Sequence, residues 1–493
     1  MRCLVTGATG YIGGRLAPRL LAEGHEVRCL ARDPGKLRDL DWARAAEIVR
    51  GDVLDPDTLP AAVRDVDVVY YLVHSLNSKS FAVADRRAAI LVAEAARTAG
   101  VKRIVYLGGL HPDGELSDHL GSRAEVGEIF LRSGVPTAVL QAAVIIGSGS
   151  ASFEMLRYLT ERLPVMLTPR WVDNRVQPIA VRDVLRYLIG AAHLPDGLNR
   201  TFDIGGPDVL TYLEMMQRYA AVAGLPRRRI IRAPVLTPSL SSHWINVVTP
   251  VPKSIARPLV ESLIHEVVTR EDDIRAYVPD PPEGLLGYDR AVAFARDKVR
   301  DADVETRWSG ATPPDVPPSA PMPSDPEWSG GSVYTDVREG HSAATPEQLW
   351  RVVEGIGGQR GWYSFPLAWS VRGWLDRLSG GVGLTRGRRD PDQLQTGDVL
   401  DWWRVEDLRE ADEGRYLLRL RAEMKVPGGA WLEMAVEPDG DGSVYRQRAV
   451  FVPRGLAGHA YWAAVSPFHA VVFGGMVRNI TRTAEREAAP ATA

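Results

Sequence analysis

The chain has 493 residues, of which 45% are hydrophobic and 25% charged, a balance typical of globular proteins with buried cores. Its net charge of −3 provides no basic field, so we expect no nucleic-acid partner. Cys3 and Cys29 are its two cysteines, and both fall in predicted buried strands, which excludes a disulfide framework. No apolar run reaches the roughly 20 residues that span a bilayer, and no signal peptide is recognised. We therefore expect a cytoplasmic protein of two to four domains.

The first thirteen residues predict a nucleotide-binding turn. Residues 2–6 form a short apolar run of strand length, and a helical stripe of leucines begins at Leu16. Between them, glycines at a GxxGxxG spacing leave room for a phosphate to approach backbone N–H groups at a helix N-terminus. The residues predicted to hold the dinucleotide here are Gly7, Thr9, Gly10, Tyr11, Ile12 and Gly13. The alternative is a tight strand–helix turn that binds no ligand.

The end of the second predicted strand, residues 26–31, bears on the choice of cofactor. It is followed by Arg32 and Asp33, about twenty residues after Gly13, where dinucleotide-binding folds contact the adenosine ribose. An arginine there pairs with a 2′-phosphate, whereas an aspartate accepts from a 2′-hydroxyl. We therefore predict NADP(H) in preference to NAD(H), and Asp33 is the reason that NAD(H) stays open.

Further strands predicted at residues 47–50, 67–73, 103–107 and 137–141 alternate with helical patterns. This alternation predicts an α/β fold with a doubly wound, parallel Rossmann-type sheet. Ligands of such sheets bind beyond the carboxyl ends of the strands. The residues predicted to contact the cofactor at this edge are Asp52, Val53, Leu72, Val73 and Gly108, with the Asp52 carboxylate accepting from the adenine amino group.

Three motifs together resemble a known family. They are the glycine turn of residues 6–13, Gly51-Asp52-Val53, and the Ile-Ala-Val-Arg-Asp-Val block at residues 179–184. Over roughly residues 1–300 the chain resembles NAD(P)H-binding, NmrA-like, atypical short-chain dehydrogenases/reductases. In such proteins the segment after the sixth strand passes the nicotinamide. The resemblance therefore places Ala142 and Ala143 beside that end of the cofactor.

The resemblance also indicates where catalytic residues belong. Members that reduce carbonyls use a tyrosine and a lysine spaced YxxxK, with an upstream serine. The matching positions hold His119 and Arg123, just before a helix predicted at residues 124–131, and the serine position reads Gly108-Gly109. We interpret His119 as a replacement acid and Arg123 as the retained positive charge. The alternative for His119 is a partly exposed loop histidine.

The other patterns of the first 300 residues are less informative. Ten histidines are scattered without an HExxH motif or a cysteine pair, so we predict no metal site. Strands at residues 176–181 and 201–204 and helices at 183–192 and 212–223 are expected to complete a substrate pocket. The candidate pocket residues are Phe153, Met155, Tyr158, Trp171 and Trp244, and ordinary core packing is the alternative for each.

A proline-rich segment predicts the domain boundary. Residues 311–328 contain seven prolines, which exclude a helix or a central strand. We therefore predict a semi-rigid linker at residues 301–330 between domains at 1–300 and 331–486, followed by a frayed tail at 487–493.

The last third of the chain has a different composition, since eight of the thirteen tryptophans follow residue 330. We predict a strand at 332–338, a helix through 353 opened by the Thr345–Gln348 capping box, and a helix at 367–378. Strands follow at 399–405, 416–424, 431–437 and 444–452, with a turn at 439–442 and a terminal helix at 466–484.

This order resembles the α+β helix-grip, START-like fold, in which an antiparallel sheet surrounds a long helix and often encloses an apolar cavity. The candidate cavity residues are Trp402, Trp403, Trp431, Phe451, Tyr461, Trp462, Phe468 and His469, and a filled aromatic core is the alternative.

These patterns lead to one favoured function and two alternatives. We predict an NADP(H)-dependent oxidoreductase that reduces a hydrophobic small molecule, a carbonyl or a quinone, with the last domain binding or delivering that ligand. Loss of the tyrosine, lysine and serine leaves open a cofactor-bound sensor or scaffold without turnover. A membrane-associated lipid or polyketide carrier is suggested by the last domain alone.

Overall fold

The computed structural model describes residues 1–37, 40–74, 81–112, 114, 116–232, 253–262, 264–302, 332–357, 360–363, 393–411, 414–424 and 426–488. The chain divides into two compact units, Met1–Gly331 and Ser332–Ala493, which are described separately. Most of the predicted proline-rich linker, the helix predicted at 367–378 and Trp244 lie outside the described residues.

The first unit alternates strands and helices, as the sequence predicts. Its strands are β1 (Arg2–Thr6), β2 (Glu26–Ala31), β3 (Glu47–Arg50), β4 (Val68–Tyr71), β5 (Arg103–Gly109), β6 (Thr137–Ala142), β7 (Ile145–Ile146), β8 (Val165–Thr168), β9 (Arg175–Val176), β10 (Ile179–Ala180), β11 (Arg200–Ile204), β12 (Leu210–Thr211) and β13 (Arg229–Arg232). Its helices are α1 (Tyr11–Ala22), α2 (Leu59–Val63), α3 (Phe81–Thr98), α4 (Asp118–Leu131), α5 (Ala151–Arg162), α6 (Val181–Ala191), α7 (Tyr212–Val222), α8 (Lys253–Ser262) and α9 (Tyr288–Ala302). Short 3₁₀ turns occupy Pro34–Leu37, Asp41–Ala45, Arg170–Asp173 and Asp273–Ala276.

Seven of these strands form one parallel sheet in the order β11-β6-β5-β4-β1-β2-β3. Successive residues of a strand face opposite sides of a sheet, and β1 shows this directly. Cys3 and Val5 join the core formed with α1 and α6, whereas Leu4 joins the core formed with α3 and α4. Because helices cover both faces, the central strands β1, β4 and β5 are largely apolar and buried. The predicted Rossmann-type sheet is confirmed.

Two predicted boundaries in this unit are wrong for local reasons. The strand predicted at residues 176–181 is instead the short strands β9 and β10, separated by Gln177 and Pro178. Proline lacks the N–H that a continuous ladder needs. Helix α4 begins at Asp118 rather than at residue 124, because the Ser117 hydroxyl caps it by accepting from the Leu120 N–H at 3.3 Å.

The second unit is a six-stranded antiparallel sheet with helices packed on it. Its strands are β14 (Tyr334–Ser342), β15 (Val399–Leu400), β16 (Trp403–Ala411), β17 (Arg415–Ala422), β18 (Gly428–Asp439) and β19 (Gly442–Pro453), in the order β14-β19-β18-β17-β16-β15. Its helices are α10 (Pro346–Glu354) and α11 (Gly455–Ala488). The predicted capping box is confirmed at Thr345 and Gln348, as is the predicted hairpin turn, in which Gly440 has a φ of 57°.

Helix α11 begins eleven residues before the predicted start and continues through Pro467. Phe473, Met476 and Ile480 of its second half are buried in the core of this unit. Within the described residues, no helix alone has the length and apolar character of a membrane span. One bent pair, Gly455–His469 and Val471–Ala488 at 43°, matches a span by length and composition alone.

Candidate functional site

A cavity of about 310 Å³ opens at the carboxyl ends of β1, β4, β5 and β6 in the first unit. The predicted site residues that line it are Gly7, Gly10, Tyr11, Ile12, Gly13, Leu72, Val73, Gly108, His119, Arg123, Ala142 and Ala143. Its remaining lining residues are His74, Leu107, Gly109, Leu110, Leu120, Val144, Ile145, Ser150, Ser152, Tyr212, Leu259, Ser262 and Val267. Four predicted cofactor residues, Thr9, Arg32, Asp52 and Val53, do not line it.

The glycine turn is shaped by close backbone contacts. Gly7 has a φ of +78°, and a Cβ built there would lie only 2.8 Å from the carbonyl oxygen of Leu72. A Cβ at Gly13 would collide with the Gly7 carbonyl, so the turn can hold neither side chain. Gly10 caps α1, and the first N–H groups of a helix have no acceptor within the helix. This main-chain cradle fits the diphosphate of a dinucleotide.

A buried arginine supports the cradle from behind. Arg15 of α1 is 1% exposed and donates to the carbonyl oxygens of Tyr11 and Ser148, each at 3.1 Å. Its guanidinium also lies 4.2 Å from the centre of the Tyr11 ring. Arg15 therefore ties the first turn of α1 to the loop that carries Ser150 into the cavity wall. The sequence contains no signal for this role, because an arginine within a helix is normally expected to be exposed to solvent.

Two of the carboxylates near the predicted adenosine side of the cofactor already accept hydrogen bonds from backbone N–H groups of their own turns. Arg32 is exposed after β2, while the Asp33 carboxylate accepts from the Gly35 N–H at 3.0 Å. The Asp52 carboxylate accepts from the Leu54 N–H at 3.0 Å, and Val53 packs in the core.

The two predicted catalytic residues lie in the first turns of α4. His119 is 7% exposed, so its interpretation as a partly exposed loop histidine is wrong. Burial, and then the positive charge of Arg123 and the neighbouring His74, lower the pKa of His119 to about 3. Arg123 donates through Nη2 to the carbonyl oxygen of Leu107 at 2.5 Å, which holds its side chain against the end of β5.

A second histidine lies in the cavity wall beside His119. Nδ1 of His74 donates to the Asp85 carboxylate at 2.7 Å, and the rings of His74 and His119 are 5.2 Å apart. Nδ1 of His119 is hydrogen-bonded to the Ser262 hydroxyl at 3.0 Å. His74 directly follows the strand predicted at residues 67–73 and lies three residues after the end of β4. This position at the carboxyl edge of the sheet is the sequence signal for His74, which is not among the predicted site residues. Asp85 and Ser262 carry no such signal, because only the tertiary fold brings them here.

The predicted substrate-pocket residues lie elsewhere. Phe153, Met155 and Tyr158 are buried, and Trp171 packs edge-on against Tyr212. None of these four lines this cavity. Phe153 and Met155 belong to a buried core cluster and Tyr158 is buried, which agrees with the alternative of core packing for these three residues.

The aromatic residues predicted to face a cavity in the second unit are divided between its interior and its surface. Trp402 and Trp403 pack around Trp362 in the core. Phe451 stacks on Trp462 with ring centres 5.8 Å apart. Trp431 is buried, and Tyr461 and His469 are half-buried. Phe468 is 68% exposed and faces no interior cavity, which contradicts its prediction.

One group of potential metal ligands does occur among the described residues, although the sequence predicted none. Single ligand atoms of Glu23, His25 and His193 lie within 4.8 Å of one another. All three side chains are exposed or half-buried, which is common for such groups without any metal.

Two protein families match the two units. A family described as "NAD(P)H-binding" matches residues 7–148, and one described as "Protein of unknown function (DUF2867)" matches residues 328–476. Among solved structures, the NADPH-dependent quinone oxidoreductase of Escherichia coli is 16% identical with a TM-score of 0.48, covering 59% of this chain and 98% of that one.

Similar proteins of known activity match the first unit. An NAD(P)H azoreductase of Xenophilus azovorans is 29% identical over 233 residues, covering 46% of this chain and 76% of that protein. A ceramide reductase of Caulobacter vibrioides is 31% identical over 238 residues, covering 47% of this chain and 73% of that protein. With its cofactor cradle on a parallel sheet, the chain belongs through its amino-terminal unit to the NAD(P)H-binding, NmrA-like family of atypical short-chain dehydrogenases/reductases.

Proposed function

We propose that the protein is an NADPH-dependent oxidoreductase that reduces a hydrophobic carbonyl compound of the quinone type. The observation that supports this most is one cavity that joins the glycine cradle to His119 and Arg123. Its walls are largely apolar, with Leu110, Leu259 and Val267 among them. Such walls favour an uncharged, flat acceptor over a sugar or an organic acid. Similarity to NAD(P)H-dependent reductases supports the reaction class.

The residues of the cavity divide the chemistry between them. When bound, the reduced dinucleotide supplies a hydride. Arg123 keeps a positive charge beside the reacting region, and this charge stabilises an acceptor oxygen that becomes negative. His119 is uncharged at neutral pH, so it acts as a hydrogen-bonding group rather than as a strong acid.

A site that has the positive charge of Arg123 but no strong acid at His119 favours quinones over simple ketones. Reduction of a ketone produces an alkoxide, about as basic as hydroxide, and water has a pKa of about 15.7. Reduction of a quinone produces a phenolate-type anion, and a phenol such as tyrosine has a pKa of about 10. Because the family's tyrosine and lysine are replaced, the acceptor whose product is easier to protonate suits this site better.

The cofactor preference is proposed to be NADPH. The Asp33 carboxylate already accepts a hydrogen bond within its own turn, whereas Arg32 is exposed. Replacing Arg32→Ala is expected to weaken NADPH binding about 10- to 100-fold, the value of a charge-assisted hydrogen bond of roughly 1.5–3 kcal/mol, and to leave NADH unchanged. Fluorescence titration with both nucleotides measures this. Asp33→Asn is the matched control, and equal weakening of both nucleotides by Arg32→Ala would contradict the preference.

Turnover is tested with purified protein, NADPH, and a panel of quinones and aliphatic aldehydes. We expect NADPH oxidation with quinones at a rate well above that with aldehydes. Gly10→Val is the control, because a Cβ at Gly10 already lies 3.2 Å from the Gly7 carbonyl oxygen and a branched side chain fills the cradle. Wild-type oxidation no faster than that of Gly10→Val would remove the reductase proposal.

A sensor or scaffold without turnover is the second candidate. It is favoured by the replacement of the family's tyrosine and lysine by His119 and Arg123. It predicts that NADPH raises the melting temperature of the protein while no acceptor increases NADPH consumption. The turnover panel therefore separates the two candidates.

We further propose that the second unit binds an apolar ligand. The order of its elements, with a long helix after an antiparallel sheet, supports the helix-grip resemblance. Native mass spectrometry of the full chain tests this by detecting a co-purified apolar molecule. Recovery of the unliganded mass alone, after mild purification and after incubation with a quinone, would count against it.

A further inference from the structure

We propose that His74, held by the buried carboxylate of Asp85, is the acid–base group of the cavity and that His119 is its neutral hydrogen-bonding neighbour. The proposal rests on the reductase function proposed above. It reverses the assignment suggested by sequence position, in which His119 replaces the tyrosine as the acid.

The geometry of the dyad determines the state of His74. A carboxylate only accepts hydrogen bonds, so the 2.7 Å contact with Asp85 requires the proton of the neutral ring to be on Nδ1. Nε2 then carries the lone pair that takes up or releases a proton. This atom is buried and has no hydrogen-bond partner among the described residues, although His74 lines the cavity. Asp85 is itself only 3% exposed, so its charge acts on His74 with little screening.

His119 has no hydrogen bond to Asp85, whose charge raises the pKa of His119 by less than burial, Arg123 or His74 each lowers it. Its Nδ1 is hydrogen-bonded to the neutral Ser262 hydroxyl, and no hydrogen bond or ion pair joins it to a carboxylate among the described residues. The charges that face it most strongly, Arg123 and a protonated His74, both oppose a second positive charge. Two imidazolium rings 5.2 Å apart repel each other, so we expect the pair to carry no more than one positive charge, and Asp85 favours its placement on His74.

The charges around His74 act in opposite directions. Burial lowers the pKa of His74 and is the largest effect, while the hydrogen bond from its ring to Asp85 raises it. Arg123 lowers the same pKa further. The Asp85 carboxylate therefore offsets part of the decrease in the His74 pKa that burial causes. For this reason we expect His74 to accept a proton more readily than His119.

The reaction balances with one proton from this group. Reduction of a quinone adds one hydride and one proton, and the hydride comes from the reduced nicotinamide. The Nε2–H bond of protonated His74 breaks, an O–H bond forms on the acceptor, and the ring is left neutral beside the Asp85 carboxylate. A proton from water then recharges Nε2. Asp85 is not among the residues that line the cavity, so it acts on the acceptor only through His74, as a positioning residue.

Titration of the histidine rings tests the dyad without any turnover. Full-length protein with labelled imidazole carbons is followed by NMR across pH, and His74→Gln and His119→Gln identify the two signals. We expect His74 to titrate at a higher pH than His119, and Asp85→Asn to lower the His74 pKa by about one unit or more. Ser122→Ala is the matched control, because it removes only the 3.5 Å hydrogen bond to Asp85 and keeps the carboxylate. A His74 titration that Asp85→Asn leaves unchanged, or that lies below that of His119, would overturn the proposal.

Kinetics then compare two isosteric variants. His74→Gln is expected to lower kcat for quinone reduction by roughly 100-fold or more, as removal of a general acid does, with NADPH affinity within about twofold. It should also abolish the fall of kcat as pH rises through the His74 pKa, whereas His119→Gln keeps that fall. The assignment would be contradicted if His74→Gln and His119→Gln lowered kcat equally and both kept the decrease of kcat with rising pH. Absence of wild-type turnover would end the reductase proposal, and the NMR titration would still decide whether His74 and Asp85 form the proton-carrying pair.

Discussion

The burial of His119 connects a single residue of α4 to the stability of the whole first unit. Its pKa is about 3 in the folded chain and about 6.5 for an exposed histidine. Between these values the unfolded chain binds a proton that the folded chain does not, so the unfolded state gains stability as pH falls. The free energy of unfolding is therefore expected to decrease from about pH 6.5 towards pH 3, and the His119 contribution is constant above that window.

Replacing His119→Gln should flatten this dependence by removing the titrating group. The measurement is urea unfolding of the first unit at several values between about pH 4 and pH 7. His74 has a pKa lowered in the same direction, so a smaller slope should remain in His119→Gln. Identical slopes in wild type and His119→Gln would contradict this prediction.

Single residues also show what the sequence can reveal about the site. The glycines of the cradle are recognisable because the constraint on Gly7 and Gly13 arises within one strand–turn–helix unit. The His74–Asp85 contact instead depends on how β4 and α3 are placed, and residues eleven positions apart need not meet. Ser262 reaches His119 across 143 positions, and no local pattern marks it.

At the scale of elements, the turn between β1 and α1 combines a left-handed backbone with a close approach. Gly7→Ala should be destabilising for both reasons, since a Cβ would lie 2.8 Å from the Leu72 carbonyl oxygen. Gly24 has nearly the same φ, +80°, but nothing lies within 4 Å of a Cβ there. Gly24→Ala therefore measures the backbone cost alone, about 1 kcal/mol or somewhat more.

We expect Gly7→Ala to cost clearly more than Gly24→Ala in denaturant unfolding and to weaken NADPH binding at least about tenfold, because the cradle must open. Gly24→Ala should bind NADPH normally, since it lies at the far end of α1. Similar unfolding costs and similar nucleotide affinities for the two variants would show that the close approach to Leu72 has no importance.

Element boundaries were predictable where a local signal dominates. β1, β2 and β3 match their predicted limits because apolar runs end at glycine or charged residues. The capping box at Thr345 identified the start of α10. The start of α4 differs from the predicted residue 124, although Ser117 and Asp118 are typical of a helix N-terminus. Pro178 is the local sequence signal for the break between β9 and β10.

At the scale of the whole molecule, the chain has two compact units with separate cores. A ligand stabilises the unit that binds it, so NADPH at about 100 times its Kd should raise the melting temperature of the first unit by roughly 5 °C. Tryptophan fluorescence reports mainly the second unit, because eight of the thirteen tryptophans follow residue 330. Calorimetry with and without NADPH is the measurement, and the Gly10→Val variant is expected to show no shift of either transition.

Both sulfhydryl groups of this chain lie in adjacent strands of one sheet. Cys3 and Cys29 are free and 0% exposed, and burial raises the pKa of each to about 12. A folded molecule should therefore exclude an alkylating dye, and the second unit contains no cysteine that could react with one. The rate at which the dye alkylates Cys3 and Cys29 therefore measures the opening of the parallel sheet alone. We expect NADPH to lower this alkylation rate, whereas a substitution that affects only the carboxy-terminal sheet should leave the rate unchanged.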